Sequence, residues 1–193
     1  MFTGIIETTS QIVKREDREH LSTFTIARPS GWELTVGQSI AVSGACLTVV
    51  TFSEEYFIVE LMLETLAKTI FKNTNIQNVN LERAMLATAR FEGHMVQGHV
   101  DTVGKISKLE RAGETAVYSI VFDQKFAELV VTKGSITIDG VSLTVSKVES
   151  GVLFVALIPY TLSHTTLGEK KVGEEVNLEF DILGKYIVKN KFS

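Results

Sequence analysis

Cys46 and Ser142 place a thiol and a hydroxyl at matching points of two near-copies of one motif, IAVSGACLTV at 40–49 and ITIDGVSLTV at 136–145. Either group can hydrogen-bond a polar ligand, or act as a nucleophile when a base stands near. Around them the copies differ in groups that hold or move protons: His99 stands against Ile5, Lys133 against Gly37 and Asp139 against Ser43. Lys133 precedes the run that leads to Asp139, and a lysine–aspartate pair beside a reactive serine would hold both charges and set proton affinities. Proton transfer or nucleophilic addition on a small polar substrate is the chemistry these types suit. The plainer alternatives are that the turns merely connect strands, that Cys46 packs as a small hydrophobe and that Lys133 is solvated. His94 and His99 are five apart, so on a strand they point to opposite faces. With no second cysteine or carboxylate cluster to complete a ligand set, a metal site is rejected. His20 and His164 read as surface or satisfied histidines. There is no glycine-rich phosphate loop, Ser-His-Asp signature or dinucleotide fingerprint.

The elements that must position these groups come in duplicate. Leu61, Thr65, Leu66 and Thr69 are echoed by Leu157, Thr161, Leu162 and Thr165; VNLE at 79–82 returns at 176–179; Gly4–Ile5–Ile6–Glu7 answers Gly98–His99–Val100–Asp101. A spacing near 96 residues is far longer than a solenoid unit, so a whole domain is duplicated and two related pockets are expected. Strand-like runs cover Phe2–Glu7, Ser22–Ala27, Ser39–Val42, Cys46–Thr51, Tyr56–Leu61 and VNLER, then Val96–Thr102, Ala116–Phe122, Ser135–Ile138, Ser142–Val148, Val152–Leu157 and VNLEFDI. Short helices are expected around 30–36, 63–72, 124–133 and 160–167, the last ended by Gly168. The pattern predicts an all-β chain: two tandem six-stranded antiparallel Greek-key barrels. The expected division is 1–90, 91–184 and a tail at 185–193, with the boundary in TARFEG at 88–93.

Bulk properties narrow the class. The 193 residues carry a net charge of −4 with no basic run, which points away from nucleic acid and anionic membranes. A single cysteine excludes an intrachain disulfide and fits a reducing, cytoplasmic setting. MFTGIIETTSQIVKRE lacks the basic start and apolar run of a secretory leader, and no window has the roughly 20 apolar residues of a membrane helix.

Taken in order, MFTGIIE, CLTV, LETL, VNLERA, GHMVQGHVDT, KGSITIDGVSLTV, LIPYTL, TTLG and VNLEFDILGKY resemble the riboflavin synthase family over nearly the whole chain. The resemblance implies a double Greek-key barrel with a short C-terminal helical tail, usually a homotrimer, needing no cofactor or metal. It implies transfer of a four-carbon unit between two molecules of 6,7-dimethyl-8-ribityllumazine, giving riboflavin and 5-amino-6-ribitylaminouracil. One substrate would sit in the N-barrel of one chain and the other in the C-barrel of a neighbour. Lumazine synthase is a candidate partner. Carried over by position, the N-barrel pocket would use Gly4, Ile5, Ile6, Cys46, Leu47 and Thr48, with Glu60, Leu61, Met62, Leu63, Glu64 and Thr65 behind them. The C-barrel pocket would use Gly98, His99, Val100, Lys133, Ser142, Leu143 and Thr144, with Leu157, Ile158, Pro159, Thr161 and Thr165. Residues tied to activity would be Phe2, Cys46, His99, Lys133, Asp139 and Ser142. The chain departs from the family at Ser43–Gly44, where Asn-Gly is common, at Glu92, and in a tail shorter than the usual trimer helix, which predicts a weakened trimer. The rival reading is a non-catalytic relative of the lumazine-protein type that holds a chromophore; a purely structural β module is a third.

Overall fold

Alternating burial builds the strands. In Tyr56–Met62, Phe57, Val59 and Leu61 are fully buried between exposed Tyr56, Glu60 and Met62, and Leu153, Val155 and Leu157 repeat this in Val152–Leu157. The computed structural model describes residues 1–191. Its first barrel consists of β1 (Thr8–Asp17), β2 (Leu21–Ala27), β3 (Ser39–Val42), β4 (Ala45–Phe52), β5 (Tyr56–Met62) and β6 (Asn78–Arg83), closed in the order β1-β2-β5-β4-β3-β6. The second consists of β7 (Thr102–Ala112), β8 (Thr115–Val121), β9 (Ser135–Ile138), β10 (Val141–Glu149), β11 (Val152–Leu157) and β12 (Glu175–Phe180), closed in the equivalent cyclic order. Each barrel encloses its own apolar core. Register shifts at Ile12/Lys14 and Val49/Thr51 recur at Ile106/Lys108 and Val145/Lys147, bulges that bend long strands around a small barrel.

Helices α1 (Leu63–Lys68) and α2 (Pro159–His164) follow β5 and β11, and α3 (Ile182–Lys191) follows β12. The helix expected at 30–36 does not form, because Gly31 and Gly37 take φ of +75° and +89° and Trp32 N–H closes a turn onto the Pro29 carbonyl. The one expected at 124–133 is only a 3-10 turn, Gln124–Leu129, ended by extended Val130. Gly168 lies within the 3-10 turn Thr166–Glu169 rather than ending α2, and a side chain there would meet the Leu162 carbonyl oxygen at 1.8 Å.

The expected first strand of each half is also misplaced. Residues 2–7 and 96–101 stay outside the ladders, which begin at Thr8 and Thr102. Phe2 and Val96 instead pair with each other, Phe2 N–H to Val96 O at 2.8 Å and Val96 N–H to Phe2 O at 3.2 Å. Gly4 and Gly98, at φ of +79° and +78°, turn these two straps out of the regular ladders.

The barrels meet through their hairpin turns. Ser43–Gly44 and Asp139–Gly140 have positive φ at both residues, the type I′ signature, and stand back to back. A Cβ on Gly44 would lie 2.8 Å from Gly140 N, and one on Gly140 2.7 Å from Gly44 N. Asn80 of β6 donates to Asp139 O and accepts from Thr166 N–H, both at 2.8 Å. Asn177 of β12 donates to Ser43 O and accepts from Ile70 N–H, also at 2.8 Å. The returning VNLE motif is thus a pair of staples, each from one barrel into the other. Asn80→Ala strands two buried backbone groups at about 1–3 kcal/mol each, so a stability loss of roughly 2–6 kcal/mol is expected in urea denaturation; a loss well under 1 kcal/mol would show that the staple is dispensable.

Candidate functional site

Each strap closes on a strand of the other barrel. The Gly98 carbonyl accepts from Cys46 N–H at 2.8 Å, and a Cβ at Gly98 would meet the Cys46 Cβ at 2.5 Å. The Gly4 carbonyl accepts from Ser142 N–H at 2.7 Å, and a Cβ at Gly4 would meet the Ser142 Cβ at 2.6 Å. Glycine is required at both by the close approach as well as by φ. Val100 packs on the first core and Ile6 on the second. This corrects the expected division: Gly4, Ile5 and Ile6 belong with Ser142, while Gly98, His99 and Val100 belong with Cys46.

The first pocket is a cavity of about 220 Å³ lined by Ala45, Cys46, Glu64, Thr65, Lys68, Thr69, Gly98, His99 and Val100. Cys46 is half-buried and His99 exposed, so a thiol and an imidazole share this wall. Lys68, unnoticed in the sequence, pairs with Glu64 at 2.6 Å and holds that carboxyl below its ordinary range. Thr69 at the back is engaged, donating to Thr65 O at 2.7 Å and accepting from Phe71 N–H. Thr165 does the same in the other half with Thr161 O and Leu167 N–H, so its hydroxyl closes a helix end.

In the second half Ser142 has a partner that sequence reading passed over. His94, buried and tied by its N–H to the Thr3 carbonyl at 3.1 Å, brings Nδ1 to 2.7 Å from Ser142 Oγ. Burial lowers its pKa from 6.5, opposed by the charge of Asp181. With the proton on Nε2, Nδ1 accepts from the Ser142 hydroxyl and the pair forms a serine–base couple. His94 and His99 thus stand at different places, one on Ser142 and the other in the first cavity.

The other expected site residues divide into walls and scaffold. Leu47, Leu61 and Leu157 are core, Leu143 half-buried, and Thr48 and Thr144 exposed opposite Ser39 and Ser135 in the ladders. Glu60, Met62, Leu63, Ile158 and Pro159 are exposed at the ends of β5 and β11. Phe2 is fully buried with Ala41 and Val96 against Cys46, behind the pocket wall. Asp139 is fully buried at the junction of the barrels, accepts from Asn177 N–H at 2.7 Å, and pairs with Lys170 at 3.3 Å rather than with Lys133. Burial pushes its pKa up, against the pull of Lys170 and the Asn177 amide. Lys133 is exposed at φ +70°, its N–H on Val145 O at 2.7 Å, as Gly37 N–H is on Val49 O at 2.8 Å. Glycine adopts that conformation freely; a lysine there is strained.

The lumazine binding domain family matches residues 3–84 and again 97–181, one match for each barrel. A riboflavin synthase of Bacillus subtilis (strain 168) is 42% identical over 189 residues, covering 97% of this chain and 88% of its own. Those of Actinobacillus pleuropneumoniae and Mycobacterium tuberculosis (strain CDC 1551 / Oshkosh) are 43% and 41% identical over 97% of this chain, and 88% and 96% of theirs. The chain belongs to the riboflavin synthase family. It is an enzyme of the transferase type. The same fold appears in crystal structures of LumP complexed with 6,7-dimethyl-8-(1'-D-ribityl) lumazine and with riboflavin, at TM-scores of 0.84 and 0.85, with 21% and 23% identity over 93% of this chain and 98% and 99% of those chains. Among the described residues no helix is long and apolar enough to cross a membrane.

For a riboflavin synthase using His94 as a base, the lowered pKa fixes the acid limb. An ordinary histidine takes up its proton near 6.5; His94 in the folded chain does so only at lower pH. Turnover is therefore expected to persist through pH 6.5 and to fall below it, with the limb changed in His94→Gln. A wild-type midpoint at or above 6.5 in the rate profile would contradict the assignment.

Proposed function

We propose that the chain moves a four-carbon unit between two molecules of 6,7-dimethyl-8-ribityllumazine, giving riboflavin and 5-amino-6-ribitylaminouracil. One observation supports this reading: two equivalent strap junctions on one chain are furnished differently, a cavity lined by Cys46 and His99 in the first half and a Ser142–His94 contact in the second. A reaction that turns two identical molecules into two different products needs that arrangement, one site to make a ring a donor and another to make it an acceptor. The products together hold all the atoms of the two substrates, so the balance needs no oxidant, reductant or carrier, and no cofactor is assigned.

Gly4, Ile5, Gly98 and Val100 form the walls beside each ring. His94 keeps Ser142 poised as a hydrogen-bond acceptor at the reacting ring, and Cys46 with His99 faces the other ring. Lys133, held in a strained conformation that its glycine counterpart adopts freely, is retained for its charge at the second site. Asp139 influences the reaction through the barrel junction, not by touching substrate. The two binding units are residues 1–90 and 91–184, each borrowing its strap from the other, with the expected tail at 185–193 starting inside α3 and its residues 192 and 193 outside the described ones. The first cavity, about 220 Å³, is below the roughly 300–1,000 Å³ of enclosed small-molecule sites. A second surface must therefore cover the ring, and the first pocket of one chain faces the second pocket of a neighbour in a cytoplasmic homotrimer. Holding the rings face to face supplies much of the rate. Lumazine synthase is the macromolecular partner to test. Purified protein mixed with the lumazine should develop riboflavin absorbance without added metal or nucleotide; bound colour without turnover would make it a binder.

A further inference from the structure

We propose that Glu82 and Glu179 are positioning residues that act crosswise, each sitting in one barrel and shaping the pocket of the other. The inference rests on the reading of both pockets as lumazine sites. Glu82 lies on β6 of the first barrel. Its Oε1 accepts from Thr3 N–H at 2.6 Å and Thr3 Oγ1 at 2.8 Å, and its Oε2 from Gly4 N–H at 2.9 Å. Glu179 lies on β12 of the second barrel and accepts from Gln97 N–H at 2.7 Å on Oε1 and Gly98 N–H at 2.9 Å on Oε2. Both carboxylates are buried, at 4% and 3% exposure.

A carboxylate is a costly choice for a buried strand position unless its oxygens are occupied. In both halves the fork takes two successive amides of a strap, which fixes how the peptide planes face. The second of those amides belongs to the glycine whose carbonyl receives Ser142 N–H in one half and Cys46 N–H in the other. The Thr3 carbonyl, one peptide unit along, receives His94 N–H at 3.1 Å. Glu82 therefore sets the surroundings of Ser142 and His94 from the first barrel, and Glu179 sets those of Cys46 and His99 from the second. The device survives a change of neighbours, Thr3–Gly4 against Gln97–Gly98, which a residue merely filling space would not explain. Burial raises the pKa of both carboxyl groups while the strap amides lower it, so the same bonds that hold the strap favour the charged form.

The lone thiol gives a reporter. Cys46 is the only cysteine and lines the first pocket, so alkylation by iodoacetamide, with and without 6,7-dimethyl-8-ribityllumazine, reads occupancy there. At a lumazine concentration about ten times Kd, protection of the wild-type chain should be about tenfold. In Glu179→Gln, where an amide NH₂ replaces one acceptor and faces a strap N–H, protection should fall to about twofold. In Glu82→Gln it should stay as in wild type. Moving the reporter, with Cys46→Ser and Ser142→Cys together, should invert the pattern: Glu82→Gln then loses protection and Glu179→Gln keeps it. Equal loss in both variants would mean a general structural role, and no loss in either would mean no role; both overturn the inference. If wild-type Cys46 gains no protection from the lumazine, the pocket reading itself fails and the inference with it. Where circular dichroism shows that a Gln variant has not folded, Glu82→Asp or Glu179→Asp, which keeps the charge and shortens the reach, is read in its place with the same expected pattern.

Discussion

Ser142→Ala is expected to lower turnover by about 10²–10⁴-fold, the usual worth of a positioned proton-handling group. The motive is the 2.7 Å contact between Ser142 Oγ and His94 Nδ1, with an imidazole that burial keeps neutral at pH 7. His94→Gln should fall by a similar factor, and the double variant should be little worse than either, because groups that act as a unit are not additive. Thr48→Ala is the control, an exposed ladder residue expected to stay near wild type. Steady-state rates for the four proteins decide it. If the Ser142 and His94 losses multiply, the two do not work together; if Thr48→Ala is the most damaging, the chemistry is not where we place it.

Mixing two dead proteins is expected to restore activity. Cys46→Trp should fill the first pocket and Ser142→Trp the second, each abolishing turnover alone. In a ring where the first pocket of one subunit meets the second pocket of the next, a one-to-one mixture that exchanges at random recovers an intact pair at about a quarter of the interfaces. Tryptophan overpacks, so both variants must first show a native circular dichroism spectrum. A mixture that exchanges subunits and stays inactive would place both lumazines on a single chain and end the shared-site model.

Most of the architecture was legible because burial with period two and paired Ser-Gly and Asp-Gly turns are local signals. The strands at 39–42, 135–138 and 152–157 follow the sequence reading residue for residue. The straps were not legible. FTGII and VQGHV read as strands, and the internal match of Gly4 with Gly98 shows that they are equivalent without showing which barrel each one serves. That depends on a contact between Gly4 and Ser142, far apart in sequence. His94 escaped for another reason: its counterpart by the Gly4–Gly98 offset would precede Met1, so comparing the copies could not single it out. Lys170 lies in the charged run EKKVGEE, which looks solvated, and only the fold shows it reaching buried Asp139. Asn80, Asn177, Glu82 and Glu179 were visible as a repeated VNLE, a motif whose purpose appears only when two barrels stand together.

The exchange of straps also sets a timetable for synthesis. A ribosome delivers Cys46 and, 52 residues later, the Gly98 that closes on it, while the Glu179 that holds Gly98 follows a further 81 residues behind. The second junction runs the other way. Gly4 emerges at the outset, and Ser142 follows 138 residues behind it. Phe2 finds its berth earlier, against Ala41 and Val96, but Ile6 has no final place until the second core forms. Such a distant closure is slow and leaves apolar surface uncovered meanwhile. Ile6 and the Gly4 carbonyl are thus made early and seated late, and a nascent chain would need to keep that stretch from pairing elsewhere until the second barrel arrives.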